Sequence, residues 1–369
     1  MKKSFKIVSL VLASMMLMSS CGGKTVEAVK EETKVETKAA ESKPVVSNEI
    51  FSVSVPEKFD GLYDTEVNDH TVNFYDKESK KEGNPGWLFG IQVFENANDW
   101  AGGPTEKVGE LKLNSGKLYD VIISLPTESQ FGFNSDGTEK PMPANYKKMY
   151  DARFEIAGCV SSINGEKVDI GAGTKGERLY KEVLEKHLKA IEESWDADKL
   201  EKEEMSSMYV AMASGDGKVL DTAGYAYRDI NHDGIDELLI GEISDGDWKG
   251  IIYDIYTIVD REPKHVVSGW DRNRFYDYDD SLLVNEYSSG ANESGVIVYS
   301  LNSNTTDLML QLAFKYDGYT DEKNPWYLAY VMEKDEPKWE KTTEQEYNDR
   351  QDRFSKHTDP GYKAFSTLK

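Results

Sequence analysis

Hydrophobic and polar positions along this chain switch between two periods, and the switches mark where elements begin and end. From Ile50 they alternate: Phe51, Val53 and Val55 share one face of a strand that Pro56 ends. Val72 with Phe74, and then residues 87–94, predict two more strands. Residues 108–113 and 117–124 predict a hairpin turning through Asn114-Ser115-Gly116. The spacing of Tyr146, Met149, Tyr150 and Phe154 predicts a helix over 144–157. Residues 49–165 therefore read as a small α+β module.

After a short glycine-rich stretch the period lengthens. Tyr180, Val183, Leu184, Leu188, Ile191 and Trp195 recur at helical spacing, with Glu182, Glu185, Lys189 and Glu192 on the other face. His187 borders the apolar stripe, where a lone histidine is expected packed or half-exposed. A second helix is expected from about Asp198, carrying Leu200, Met205, Met208, Tyr209 and Met212, with the methionines filling core. Past Asp216-Gly217 the alternation returns. Strands are expected at 222–228, 237–243, 250–259, 266–267, 275–278, 282–285, 296–301, 308–316 and 326–332, then a polar helix at 342–356. Short spacing and turn residues favour antiparallel pairing, with the helices on one face. The expected fold class is α+β: the small module, a linker at 166–176, and a larger antiparallel β-meander over 177–369 packed on two helices.

Two of these strands flank Asp229-Ile230-Asn231-His232-Asp233-Gly234-Ile235-Asp236-Glu237. Oxygen-bearing side chains stand at its first, third, fifth and ninth positions. A chain reversing around an ion turns alternate residues inward, so Asp229, Asn231 and Asp233 are expected to converge while Ile230 and His232 point out. Gly234 permits the turn, Ile235 offers its carbonyl and Glu237 closes the shell. All-oxygen donors suit calcium. The position where an EF-hand carries its bidentate glutamate is Ile240, and a strand follows instead of a helix. The pattern resembles the Asp-x-Asn-x-Asp-Gly loops of FG-GAP, VCBS and integrin-propeller repeats, which imply a calcium loop leading into a strand. Those families repeat the loop, whereas here it occurs once, so one α+β domain is expected and not a propeller. An Asn/Asp/Gly turn without metal is the plain alternative.

The start of the chain changes the picture of where it works. Lys2, Lys3 and Lys6 precede an apolar run that ends at Ser19-Ser20-Cys21, too short and wrongly flanked for a permanent span. Leu17-Met18-Ser19-Ser20-Cys21-Gly22 resembles the lipobox of bacterial lipoproteins. That resemblance implies cleavage after residue 20 and acylation of Cys21, anchoring the chain at roughly 0.8 kcal/mol per buried CH₂. Residues 22–48 carry five lysines and five glutamates and no aromatic residue. A flexible tether of that length spans on the order of 30 Å. The order of segments in 50–165, from Phe-x-Val-x-Val-Pro through Gly-Trp-Leu-Phe to a closing helix, is similar to a module found in lipoproteins of Gram-positive gut bacteria. It brings no activity with it.

Charge and cysteine content then exclude partners. Without residues 1–21 the chain keeps 41 basic against 67 acidic residues, a net charge of −26. Such a surface repels phosphate, so nucleic acid is not an expected partner. Cys159 is the one remaining thiol, so no internal disulfide is expected, and its apolar neighbours suggest a buried, inert side chain. Gly171-Ala172-Gly173-Thr174-Lys175-Gly176 fits G-x-G-x-x-G, but the next segment becomes a second helix where a dinucleotide fold needs a parallel strand. No nucleotide is expected.

No Gly-x-Ser-x-Gly, His-Glu-x-x-His, Cys-x-x-Cys or complete P-loop occurs. Two functional classes remain. The first is an extracytoplasmic, membrane-anchored binding protein with a structural calcium ion, recognising a glycan or a peptide through some of its 21 tyrosines and seven tryptophans. The second is an extracytoplasmic hydrolase acting on an envelope or dietary polymer through paired acids, which would need a cleft holding two carboxylates roughly 5 to 9 Å apart.

Overall fold

The computed structural model describes residues 46–215, 218–278, 281–334 and 336–368. The expected signal segment with Cys21, and nearly all of the tether, lie outside the described residues. The fold is α+β: two antiparallel sheets carry most of the regular structure, and short helices cover them. The described residues belong to one compact unit.

The first sheet has six strands in the spatial order Tyr63–Asn68, Thr71–Asp76, Trp87–Phe94, Leu118–Ser124, Thr105–Lys112 and Asp169–Ile170. A three-stranded sheet of Val46–Ser47, Phe51–Val53 and Val160–Ser162 lies beside it. Alternation decides which core each side chain joins. Val121 and Ile123 face Phe51, Phe74, Phe89 and Ile91, while Ile122 between them faces the second half of the chain. The helix expected over 144–157 is interrupted at Ala152, giving Ala144–Asp151 and Arg153–Ala157. Tyr146 and Met149 from the first piece and Ile156 from the second close the first core.

The second sheet has eleven strands and follows the chain closely, each strand pairing antiparallel with the next from Ala223–Arg228 to Trp326–Ala329. Glu262–Ser268 branches off, pairing with Ile251–Val259. Leu238 and Ile240 face the helices, whereas Leu239 faces Ile252, Ile255, Phe275 and Leu283. Both faces are buried, which is why Leu238-Leu239-Ile240 is a continuous apolar run.

The two helices expected to cover this sheet are several short ones: Gly176–Leu179, Lys181–Glu192, Ala197–Lys202, Met208–Ala213 and Val219–Thr222. The break after Lys202 has a tertiary cause. The Ser206 amide donates to both carboxylate oxygens of buried Asp254 at 3.0 Å, and the Ser206 hydroxyl donates to the Gly269 carbonyl at 2.6 Å. Glu204 takes a positive φ of 57° to get there. Met205 and Met208 are buried, as core-filling methionines should be. His187 lies wholly inside, its ring nitrogens 2.7 Å from the Tyr209 hydroxyl and 2.9 Å from that of Tyr256.

Candidate metal centre

The loop at 229–236 joins two strands whose register pairs Arg228 with Glu237, so the ladder itself brings the ninth position of the motif back beside its start. Main-chain amides then draw the other side chains in. Asp229 accepts from the amides of Asp233 at 3.2 Å and Gly234 at 3.0 Å. Asn231 Oδ1 accepts from the same Asp233 amide at 3.0 Å, and Asp233 Oδ1 from that of Ile235 at 2.9 Å. Glu237 accepts from the Ile230 amide at 2.9 Å and from the Thr257 hydroxyl at 3.0 Å, with the Asn231 amide group 3.4 Å away. Asp229, Asn231, Asp233 and Glu237 are thus gathered into one network. Ile235 keeps its side chain in the core that contains Leu238 and Ile258. His232 points to solvent as expected, but Ile230 turns into the opposite core and is buried. Outward from the loop means inward to the sheet.

The electrostatics of this network differ from those around three other buried acids, though buried Asp76 also has no basic partner among the described residues. Asp120 lies 2.8 Å from Lys107 and 3.1 Å from Arg261, Asp277 lies 3.2 Å from Arg228, and Asp317 lies 2.9 Å from Lys315. No ion pair within 4.0 Å reaches Asp229, Asp233 or Glu237 among the described residues. Burial raises the Asp233 carboxyl to about 6, with Asp229 adding repulsion. Glu237, fully buried, is pushed well above the usual carboxylate range by burial first and Asp233 next. Burial raises Asp229 as well. Two buried carboxyls and a third partly buried one, without a basic partner, form a costly arrangement that a hard cation would relieve. Their donors are all oxygen, which disfavours thiophilic metals. Among the described residues, no group of three or more His, Cys, Asp or Glu side chains stands at metal-holding geometry. Here one amide and one main-chain carbonyl belong to the expected donor set alongside the acids.

The loop is also wedged between distant parts of the chain. The Lys107 amide donates to the Asp233 carbonyl at 2.7 Å, and the Asp236 amide donates to the Thr174 carbonyl at 3.0 Å. Gly234, at φ +87°, meets the Lys107 backbone so closely that a Cβ there would lie 2.3 Å from the Lys107 oxygen. The glycine motif at 171–176 finds its reason here. The Gly176 amide donates to Asp236 Oδ2 at 3.1 Å, and a Cβ on Gly176 would fall 2.1 Å from the Tyr227 ring. Read as a linker, this stretch instead lies packed: Asp169–Ile170 pairs with Thr105–Lys112, and Thr174 is buried.

Sequence reasoning missed a serine, a histidine and an aspartate that the fold brings together. Ser268 Oγ lies 2.5 Å from Asp254 Oδ1 and 3.0 Å from His265 Nε2, and that same Nε2 lies 3.2 Å from Asp254. A nucleophile relay needs the serine on one ring nitrogen and the acid on the other. With both on Nε2, the trio ties Glu262–Ser268 to Ile251–Val259 and is not a relay. Pairing of Asp254 with Ser268 across the two strands is its only source, which no linear motif announces. Cys159 is half-buried, not buried as its neighbours suggested. Burial nonetheless pushes its thiol up, and its Sγ lies 3.4 Å from the Glu155 carbonyl. A cavity of about 970 Å³ is lined by Ile191, Trp195, Tyr209, Val210 and Leu220 with Asp221 at its side.

Compared with known proteins, the chain matches no family model, and neither curated sequences nor solved structures show significant similarity to it. No helix among the described residues is long and apolar enough to cross a membrane.

Proposed function

We propose that this chain is a lipid-anchored, extracytoplasmic binding protein whose loop at 229–237 holds a structural calcium ion. Asp229, Asn231, Asp233 and Glu237 supply side-chain oxygens, and Ile235 supplies its main-chain carbonyl. The observation that carries the reading is that Asp233 and Glu237 are both buried, repel each other, and have no basic residue within ion-pair reach. Uncompensated buried charge costs several kcal/mol, which a divalent ion in the same loop would offset. The role is read as structural because the loop's own residues supply five oxygens to the shell.

Acyl chains on Cys21 hold the protein to the membrane, and residues 22–48 keep the folded part clear of it. Its ligand is a glycan or a peptide. Exposed Trp270, Tyr319 and Tyr330 supply the aromatic faces that such ligands pack on.

Calorimetric titration of the chain from residue 22 onward tests the ion. Calcium should bind with a Kd of about 10⁻⁴ to 10⁻³ M, the range of extracellular modules, and no heat up to 10-fold above that range sinks the reading. Fatty-acid labelling that persists in Cys21→Ala sinks the anchor. Glycan and peptide arrays probed in calcium and in EDTA test the ligand, and silence on both removes it.

A further inference from the structure

The loop does more than connect two strands, because the residues that line it also hold the first sheet to the second. Asp233 contributes its carboxylate to the oxygen network and its main-chain carbonyl to the Lys107 amide, which belongs to the strand Thr105–Lys112 of the first sheet. That amide is turned away from its own hairpin partner, at the register shift between Lys107 and Gly109. Next along the chain, Gly234 lies against the Lys107 backbone, and Ile235 enters a core shared by both halves. Ala97, Trp100 and Ile122 come to that core from the first half, and Tyr180, Leu238 and Ile258 from the second. Asp236 then ties the loop to Thr174 and Gly176.

The remaining polar ties across the junction are of a different kind. Arg261 reaches Asp120 at 3.1 Å and the Glu95 carbonyl at 2.9 Å, and Asn304 reaches Asn98 at 2.8 Å. These come from turns on the second sheet; among the described residues Arg261 makes no contact with the loop's acids, whereas the turn carrying Asn304 is itself tied to the loop by a hydrogen bond between Ser303 and the Asp233 side chain.

We infer that the cation in the loop controls how firmly the two sheets are docked. The inference rests on the reading of residues 229–237 as a cation site. With the ion bound, Asp229, Asp233 and Glu237 are held together and the Asp233 carbonyl stays aimed at Lys107. Without it, repulsion among the three acids favours opening of the loop, and opening withdraws the Lys107, Thr174 and Gly176 ties and Ile235 in one step. The junction is then left to Arg261 and to the rest of the shared apolar core, and the sheets are docked less firmly on that side.

Residue-resolved hydrogen exchange on the chain from residue 22 onward reads this directly, since the Lys107 amide has its acceptor across the junction and the Asp236 amide has its acceptor, Thr174, on the stretch that joins the halves. Replacing 5 mM calcium by EDTA should speed exchange at both at least 10-fold, while the Val72 and Phe74 amides of the first sheet stay within 2-fold. Slower exchange inside the loop in calcium, with Lys107 unchanged, overturns the inference and leaves the cation site standing. No calcium response anywhere overturns both. Gly234→Ala should expose the Lys107 amide even in calcium, because the added Cβ collides with the Lys107 backbone. Should that variant not fold, Asp233→Asn serves. It should make Lys107 exchange at the same rate in calcium as in EDTA, because the substitution removes both a ligand and the repulsion the ion offsets, and calcium-dependent protection in that variant overturns the inference.

Discussion

Arg261 closes on Asp120 at 3.1 Å, joining the turn after Ile251–Val259 to the middle of the first sheet. Asp120 is almost wholly buried and also takes Lys107 at 2.8 Å and the Trp100 indole at 3.1 Å, so its charge is over-provided for. Removing a sole partner from a buried acid costs about 3 to 5 kcal/mol. Here Lys107 remains and Arg261 is one-third exposed, so the loss should be smaller. Arg261→Gln is expected to lower stability by about 1 to 2 kcal/mol, read as the urea midpoint at constant slope. A change in slope instead would mean that the two halves no longer unfold together.

In the cation-free protein the loop acids should contribute stability that is lost as pH rises, the reverse of ordinary acid denaturation. Asp233 has its folded value raised to about 6 against an unfolded value near 3.9, and Glu237 is shifted in the same direction. A raised carboxyl favours the protonated folded state, so its contribution is complete below about pH 4 and vanishes as pH passes 6. Calcium replaces the protons. The melting-temperature gain from calcium should therefore be about 2 °C at pH 7.5 and close to nothing at pH 5, by calorimetry at the two values. Equal gains at both would show that these acids are not the ligands.

His187 acts with the opposite sign. Burial lowers it to about 4 from a usual value of 6.5, only partly opposed by Asp254, and both ring nitrogens are engaged by tyrosine hydroxyls. Its neutral form is the one that fits, so its contribution is present above pH 6.5 and is lost progressively down to pH 4. The loss amounts to on the order of 3 kcal/mol. His187→Gln should be less stable than wild type at pH 7.5, yet should show a flatter stability profile between pH 6.5 and 4. Parallel profiles for the two proteins, by chemical denaturation across that range, would assign acid sensitivity elsewhere.

Much of the meander can be read from the chain because each strand alternates or runs apolar between Gly, Asp and Asn turns, and Trp87–Phe94 is bounded as its pattern indicates. Tyr63–Asn68 is not legible in this way. It is an edge strand with no buried residue, so no apolar period marks it. The helix expected from Asp198 fails for another reason: its sequence is helical, but Asp254, far along the chain, captures the Ser206 amide and breaks it. The same division holds at the loop. Its oxygens are spaced by local geometry and show in the sequence, while its contact with Lys107 depends on how two sheets meet. Nothing within nine residues encodes that.

Asp233→Asn separates the cation reading from a plain turn because its effect should change sign with calcium. The amide keeps the shape of the side chain and can still accept from the Ile235 amide, so the turn survives. In EDTA the substitution removes one of three mutually repelling acids, two of them buried, and relieves Glu237, whose main charged antagonist is Asp233. The variant should then be more stable than wild type by about 1 kcal/mol at pH 7.5. In millimolar calcium, wild type gains on the order of 1 kcal/mol from an ion a few-fold above its Kd, and the variant, with a weaker ligand, gains little. Its advantage should shrink to nothing or reverse. If residues 229–237 are only a turn, asparagine shifts stability equally in calcium and EDTA, and melting curves of the two proteins in both buffers tell these outcomes apart.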